Sequence, residues 1–130
     1  MQKKAAVVVV INNENKVLCL LRSETDDWKP LCWGLPGGHI DEGEYPYNGI
    51  LREAKEETNL DVGAFYCGLR KGIDGWDIYV YCAETYSGDT VLSYEHSDYA
   101  WFSLAEIAAL PNTTPNLYRD VAMVFEEVKR

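Results

Sequence analysis

Three glutamates, at positions 53, 56 and 57, constrain this chain more than any other feature of its sequence. They lie in the segment Arg52–Glu57, and residues three and four apart share one face of an α-helix. Like charges at that spacing repel and cost roughly a few tenths of a kcal/mol per pair. A cation is therefore expected between these carboxylates, and the ordinary alternative is a solvated acidic helix face.

The helix that carries these glutamates is predicted to run from Pro46 to Asn59. Proline suits the first helical position because its missing N–H would have no partner there, and asparagine tolerates the left-handed conformation that ends many helices. The adjacent glycines Gly37 and Gly38 precede the helix, and glycine lets a backbone approach a ligand closely. The predicted apolar face of the helix consists of Tyr47, Ile50, Leu51 and Ala54.

An all-oxygen site of this kind suits a hard cation, Mg²⁺ or Mn²⁺, which typically shares its ligands with substrate phosphates. The four cysteines, by contrast, form no C-x-x-C pair and have no histidine at zinc spacing. This pattern argues against a zinc knuckle or a redox motif. The cysteines are expected to be free thiols in a reducing cytoplasm, and the chain is expected to be cytoplasmic.

The length and charge of the chain exclude several classes of protein. Its 130 residues predict a single domain over residues 1–130 with a core of its own. Its formal net charge is −9, so no nucleic acid polymer is expected as a partner. The apolar run Ala5–Ile11 lacks a small-residue cleavage site and is too short to cross a bilayer. It is predicted to be a buried strand, and no membrane partner is expected.

Apolar runs and turn residues predict the strands. Ala5–Ile11 and Val17–Leu21 flank a polar turn, and because neither alternates cleanly, both are expected to be covered on two faces. Strands Leu60–Leu69 and Trp76–Thr85 are predicted to form a hairpin with its turn at Asp74-Gly75.

The remaining elements lie near the carboxyl end of the chain. A short strand is predicted over Tyr99–Phe102. The capping box Ser103–Glu106 is expected to open a helix that ends at Leu110, and Thr114-Pro115 is expected to cap the last helix.

The stretch from Gly38 to Leu60 resembles the Nudix box, the signature of the Nudix hydrolase family, which includes MutT-like proteins. That pattern is a glycine, five residues, a glutamate, seven residues, and then Arg-Glu-apolar-x-Glu-Glu-x-Gly-apolar. The one departure is Asn59, which stands where the pattern has glycine. The lead-in Trp33–Gly38 and the segment Glu95–Ser103 extend the similarity over most of the chain. The matching residues are Gly38, Glu44, Arg52, Glu53, Ala54, Glu56, Glu57 and Leu60.

The resemblance implies an α/β (α+β) Nudix fold, in which a mixed β-sheet is sandwiched between α-helices. It also implies metal-dependent hydrolysis of a nucleoside diphosphate linked to another group, with Mg²⁺ or Mn²⁺ as the cofactor. By motif position, the metal ligands would be Glu53, Glu56, Glu57 and the carbonyl of Gly37, while Gly38, Glu44 and Arg52 would support the box.

Two residues compete for the role of the base that takes a proton from the attacking water. Family members use either a glutamate of the box or an acid on a distal loop, so Glu53 is favoured and Glu95 is its rival. The residues expected to meet the substrate are Arg22, Trp28, Arg70 and Tyr79, although ordinary packing or a solvated surface explains each equally well.

The substrate is expected to be a small nucleotide. The sequence shows no extra N-terminal domain of the kind that larger sugar-nucleotide hydrolases use for dimerisation, which favours a compact (d)NTP pyrophosphohydrolase, as a monomer or homodimer. Hydrolysis of ADP-ribose, nucleotide sugars or dinucleoside polyphosphates is the alternative. A non-catalytic domain that senses a nucleotide derivative is a second class, but such domains tend to lose box glutamates, and all three remain here.

Overall fold

The structure is a computed structural model that describes residues 3–129. Residues 1, 2 and 130 of the predicted domain lie outside the described part of the chain. The strands are β1 (Lys4–Val10), β2 (Val17–Arg22), β3 (Trp33–Gly34), β4 (Gly37–His39), β5 (Asp61–Lys71), β6 (Asp77–Ser87) and β7 (His96–Phe102). The helices are α1 (Pro46–Thr58), α2 (Leu104–Ala109) and α3 (Leu117–Val128).

Two β-sheets and the helices around them confirm the predicted α+β class. One sheet has the strand order β4-β1-β6-β5, and the other has the order β3-β2-β7. The four-stranded sheet is mixed, because β1 runs parallel to β6 and antiparallel to β4. Its two faces pack against α1 and α3. No helix within residues 3–129 is long and apolar enough to cross a membrane.

The first predicted strand is covered on both faces, as expected. Val8 and Val10 of β1 pack with Ile50 and other residues on the α1 side, whereas Val9 packs with Val121 on the α3 side. Because β1 and β2 lie in different sheets, the turn between them joins two sheets rather than two paired strands, apart from an isolated bridge between Ile11 and Val17.

The predicted hairpin is confirmed, with strands slightly displaced from the expected bounds. β5 and β6 pair antiparallel, and Asp74 and Gly75 in the connection have φ angles of 57° and 80°. Glycine adopts such angles at little cost, and aspartate is among the residues that tolerate them best.

The helix α1 has the bounds that its end residues predict. Pro46 is the first helical residue, and Asn59 ends the helix in the left-handed conformation with a φ of 66°. The Asn59 N–H donates to the Lys55 carbonyl at 2.9 Å, which gives a carbonyl in the last turn a partner.

The two shorter predictions near the carboxyl end differ in outcome. The capping box of Ser103 and Glu106 is present and opens α2. The cap predicted at Thr114-Pro115 is wrong, because α3 begins at Leu117 after a left-handed Asn116. The physical reason is that the Thr114 N–H donates to the Trp33 carbonyl at 2.8 Å, which ties this segment to β3 in an extended arrangement.

Candidate active site

A cleft of about 770 Å³ opens along the α3 face of the four-stranded sheet and over the edge formed by β4. It brings together most of the residues that the sequence singles out, although they come from five separate segments of the chain. Those lining the cleft are Arg22, Trp28, Gly37, Gly38, Glu53, Glu56, Glu57, Arg70 and Glu95.

Glu57 is the most deeply buried of the box glutamates, with 6% of its surface exposed. Its Oε1 accepts a hydrogen bond of 2.8 Å from the N–H of Gly37. Burial raises the pKa of this carboxyl to about 8 against the lowering effect of the Gly37 N–H, and the charges of Glu53 and Glu95 raise it further. The loop and the helix therefore meet at a carboxylate that is costly to ionise without a cation.

Glu53 lies directly behind the second glycine of the loop. A Cβ placed on Gly38 would come within 2.7 Å of the Glu53 Cδ, so only glycine leaves room for this carboxylate. Burial raises the pKa of Glu53, Arg52 opposes that effect, and the neighbouring Glu56 and Glu95 add to it. Two carboxylates of the box are thus destabilised as anions by the same surroundings.

Arg52 and Glu44 fasten the loop to the helix. The Arg52 Nε and Nη2 donate to the two oxygens of Glu44 at 2.9 and 3.0 Å, and Nη2 also reaches the carbonyl of His39 at 3.2 Å. The Asp41 N–H donates to Glu44 at 3.0 Å. Hydrogen bonding from Arg52, more than any other effect, lowers the pKa of Glu44. Neither residue lines the main cleft, which agrees with a supporting role.

Glu56 differs from the other two box glutamates because it lies largely in solvent. Its side chain is 58% exposed, and its Oε2 lies 3.3 Å from the Arg52 Nη1. The same Arg52 nitrogen donates to Glu53 at 3.0 Å. Arg52 therefore holds the carboxylates of Glu53 and Glu56 from one side, and Gly38 of the glycine loop lies against Glu53.

The cleft suits a hard divalent cation, although no group of three or more His, Cys, Asp or Glu residues within 3–129 is already drawn together as a formed metal site. The donors present are carboxylate oxygens and the backbone of the glycine loop, which Mg²⁺ and Mn²⁺ prefer. The pKa values of Glu53 and Glu57 are raised, and the charge of Glu95 contributes to both shifts, so positive charge is lacking beside these two carboxylates. These residues fit a divalent ion such as Mg²⁺ or Mn²⁺.

Arg22 and Trp28 stand beside Glu95 at one end of the cleft. The guanidinium carbon of Arg22 lies 4.9 Å from the centre of the Trp28 ring, and its Nη2 bonds Asp26 at 2.7 Å. Arg22 also lowers the pKa of Glu57, so its charge acts on the carboxylate cluster. Trp28 keeps 49% of its surface exposed.

His96 lines the same end of the cleft and was not singled out by sequence reasoning. Only 7% of it is exposed, and its Nδ1 is buried without a hydrogen-bond partner among the described residues. Burial and the charge of Arg22 lower its pKa to about 4, against the opposing effect of Asp26. The ring is therefore neutral at pH 7. Its position directly after Glu95 is the only sequence signal that points to it.

Arg70 lies at the far end of the cleft in an ion pair with Asp120. Asp120 is a second residue that sequence reasoning missed, although a signal existed. It follows Leu117 by three positions and precedes Val124 by four, so it falls on the apolar face of α3. A charged residue in that place needs a buried partner.

Tyr79 does not line the cleft. Alternation along β6 places Ile78 and Val80 on the α3 face, whereas Tyr79 and Tyr81 belong to the α1 face. The Tyr79 ring lies 6.4 Å from that of Tyr66, which makes it part of an aromatic cluster away from the carboxylates.

Comparison with known proteins shows the family to which the chain is similar. The model of the NUDIX domain family matches residues 1–122. The chain is 28% identical over 111 residues to the Nudix hydrolase YvcI of Bacillus subtilis, covering 78% of this chain and 67% of that protein. It is 30% identical over 105 residues to the asymmetrical bis(5'-nucleosyl)-tetraphosphatase of Sus scrofa, covering 73% and 68%. The crystal structure of a MutT protein from Methanosarcina mazei superposes with a TM-score of 0.85 and 25% identity, covering 99% of this chain and 96% of that one.

Proposed function

The chain belongs to the NUDIX family and is a Nudix hydrolase, and on that premise we propose that it hydrolyses nucleoside or deoxynucleoside triphosphates at a diphosphate linkage, with Mg²⁺ or Mn²⁺ as cofactor. The family's coarser activity is the hydrolysis of pyrophosphate linkages in nucleotide derivatives. The proposal adds the substrate and the residues that act on it.

The observation that carries the proposal is the convergence of Glu53, Glu57 and Glu95 in one cleft. The charge of Glu95 raises the pKa of both Glu53 and Glu57, and the charge of Glu53 raises the pKa of Glu57. A divalent ion bound to a diphosphate supplies the missing positive charge, and the buried carboxylates then gain the interaction that offsets their desolvation. The cleft is therefore suited to a metal-bound diphosphate rather than to a free anion.

The roles proposed for the chain's own groups follow from their positions. When bound, the divalent cation neutralises the diphosphate and lowers the pKa of a water molecule. Glu53, Glu56, Glu57 and the Gly37 carbonyl would hold the cation. Arg52 and Glu44 hold the Glu53 carboxylate and the glycine loop in position relative to each other.

The proton of the attacking water needs an acceptor in the cleft. Glu53 is the favoured base because it lines the cleft and burial raises its pKa, which makes its carboxylate a better proton acceptor. Glu95 is the rival, since it lines the cleft from β7's side and is exposed to solvent.

A triphosphate suits the uneven chemistry of the cleft. The end near Glu53 and Glu57 is strongly acidic and takes a polyphosphate together with its cation. The part between the sheet and α3 is lined by apolar side chains, including Val7, Ile78 and Leu117, which suit a flat, weakly polar base. A nucleoside triphosphate has one group of each kind.

A dinucleoside polyphosphate is the second candidate substrate. Trp28, half exposed beside Arg22 at the opposite end of the cleft, offers a ring on which a second base could stack. The similarity to an asymmetrical bis(5'-nucleosyl)-tetraphosphatase also favours this substrate.

A substrate screen tests the proposal. Nucleoside triphosphates, dinucleoside polyphosphates, ADP-ribose and nucleotide sugars are incubated with the protein and Mg²⁺, and the released monophosphate and phosphate species are quantified. Highest kcat/KM for triphosphates is expected. Highest kcat/KM for dinucleoside polyphosphates, together with its loss in Trp28→Ala, supports the second candidate. Tight binding without turnover across the whole panel would instead indicate a sensor of a nucleotide derivative.

A further inference from the structure

The ion pair between Arg70 and Asp120 lies in the cleft but away from the carboxylates. Arg70 Nε and Nη2 donate to the two Asp120 oxygens at 2.6 and 2.8 Å. The side chains are 12% and 3% exposed. The two residues lie 50 positions apart, on β5 and on the first turns of α3.

Stability alone does not account for a buried pair in this place. Replacing a buried ion pair with apolar side chains of similar size is often neutral or stabilising, because the desolvation of two charges offsets their attraction. Here the apolar residues Val7, Ile78 and Leu117 line the same part of the cleft and pack in the core cluster on the α3 side of the sheet. A purely structural contact between β5 and α3 could be made by two apolar residues.

The pair retains hydrogen-bonding capacity that no other side chain among residues 3–129 uses. A guanidinium has five N–H donors, and Asp120 takes two of them; a carboxylate has about four acceptor positions, and Arg70 takes two. A donor and an acceptor therefore lie side by side. The edge of a nucleobase carries the same adjacent donor and acceptor groups.

The pair is poorly suited to a phosphate group. Asp120 cancels the charge of Arg70 and would repel an anion. Arg70 lies level with His39 of β4, three strands away in the sheet, which at a spacing of about 4.8 Å per strand is roughly 14 Å, and Gly37 lies two residues farther along β4. The stacked rings of Trp76 and His39, with centroids 4.6 Å apart, border the same cleft.

We propose that the Arg70–Asp120 pair recognises the edge of the substrate's nucleobase and so determines both the orientation and the base specificity of the substrate. The inference rests on the proposed function and deepens it. The base enters the apolar part of the cleft and meets the pair, while the polyphosphate extends over β4 to Glu53 and Glu57. Both residues are specificity determinants and take no part in bond cleavage.

The test compares nucleoside triphosphates with ribose 5-triphosphate, which lacks a base. The double variant Arg70→Met/Asp120→Leu keeps apolar bulk in place of the pair. Its kcat/KM for the preferred nucleoside triphosphate is expected to fall about tenfold or more, because each lost base contact weakens transition-state binding. Its kcat/KM for ribose 5-triphosphate is expected to stay unchanged.

The neighbouring ion pair of Lys71 and Asp77 on the same hairpin supplies a matched control, since it is more exposed and lies outside the cleft. Lys71→Met/Asp77→Leu should leave both substrates unaffected. Equal losses for both substrates in the Arg70/Asp120 variant would overturn the proposal and assign the pair a structural role.

Two further measurements keep the proposal testable if the double variant does not fold. In the wild-type protein, equal kcat/KM values for nucleoside triphosphates and ribose 5-triphosphate would contradict base recognition directly. Asp120→Asn, which keeps the shape but replaces one acceptor by a donor, should change the ranking of the four bases. If the wild-type protein hydrolyses neither compound, the proposed function fails. The inference is then tested separately by calorimetry, which compares the affinities of the protein for the two compounds in the presence of Mn²⁺.

Discussion

Glu57 shows how a single residue links the loop, the helix and the chemistry of the cleft. Its pKa of about 8 lies above the ordinary 4.5, so ionisation lowers the stability of the metal-free protein as the pH rises from 4.5 through 8. Glu57→Gln keeps an oxygen for the Gly37 N–H but carries no charge. At pH 9 in EDTA, we expect this variant to melt about 3 °C or more above wild type.

The same variant should lose most of the thermal stabilisation that Mn²⁺ gives the wild-type protein. Glu14→Gln, an exposed substitution in the turn after β1, serves as the control and should behave as wild type in both conditions. A normal response of Glu57→Gln to Mn²⁺ would remove Glu57 from the proposed set of ligands.

The two adjacent glycines of the loop should respond differently to substitution. A Cβ on Gly37 would lie 2.1 Å from the carbonyl oxygen of Ala6, which is fixed backbone. A Cβ on Gly38 would meet only the end of the Glu53 side chain, which can rotate away. We expect Gly37→Ala to lower the melting temperature strongly, and Gly38→Ala to lower turnover at least about tenfold with a nearly normal melting temperature. Circular dichroism melts and initial rates separate these outcomes, and full activity in Gly38→Ala would contradict the placement of Glu53.

At the scale of the element, the end of α1 is determined by its left-handed cap. Asn59 has a φ of 66° and its amide donates to the Asp89 carbonyl at 3.2 Å. Asn59→Ala should destabilise the protein by about 1 kcal/mol, because the left-handed conformation costs alanine more free energy than it costs asparagine. Asn59→Gly, which restores the residue of the family pattern, should change stability by less than about 0.5 kcal/mol. Urea denaturation measures both, and equal stability of the Ala and Gly variants would show that the conformation is not a constraint.

Elements set by local chemistry were predicted well from sequence, and pairings between distant segments were not. The proline, the asparagine cap and the capping box each act within a few residues, so they located α1 and α2. The parallel pairing of β1 with β6 joins residues about 70 positions apart, and no local signal encodes it. Similarly, the hydrogen bond from the Thr114 N–H to the Trp33 carbonyl makes α3 begin later in the chain than the predicted cap at Thr114-Pro115.

At the scale of the whole molecule, the candidate site shows the same difference between local sequence signals and contacts between distant segments. The box glutamates were found because their spacing is regular, whereas His96 and Asp120 depend on neighbours brought close by folding. Tyr79 was expected near the substrate because aromatic residues recur along β6, but the alternation of that strand turns it to the other face. Sequence reasoning therefore located the acidic end of the cleft together with Arg22, Trp28 and Arg70, and it missed His96 and Asp120.

His96 gives the whole protein a distinctive response to acid. Its pKa of about 4 in the folded state lies below the ordinary 6.5, so the unfolded chain binds the proton more readily. Its contribution to stability is present above pH 6.5 and is lost as the pH falls towards 4, with a slope of at most about 1.4 kcal/mol per pH unit. His96→Asn should show a shallower decline of the unfolding free energy between pH 6.5 and 4.5. The difference between the two proteins isolates His96 from Glu57, whose effect has the opposite sign, and identical slopes would contradict the neutral, buried ring.

The central claim is that the carboxylates of α1 form the centre of a metal-dependent hydrolase. The most direct test is the initial rate of nucleoside monophosphate release from deoxynucleoside triphosphates in Mg²⁺, measured for wild type, Glu53→Gln, Glu57→Gln and the control Glu14→Gln. We predict that both box variants lose activity at least about a hundredfold while remaining folded, and that the control keeps its rate. Wild-type turnover in both box variants would show that the catalytic centre lies elsewhere.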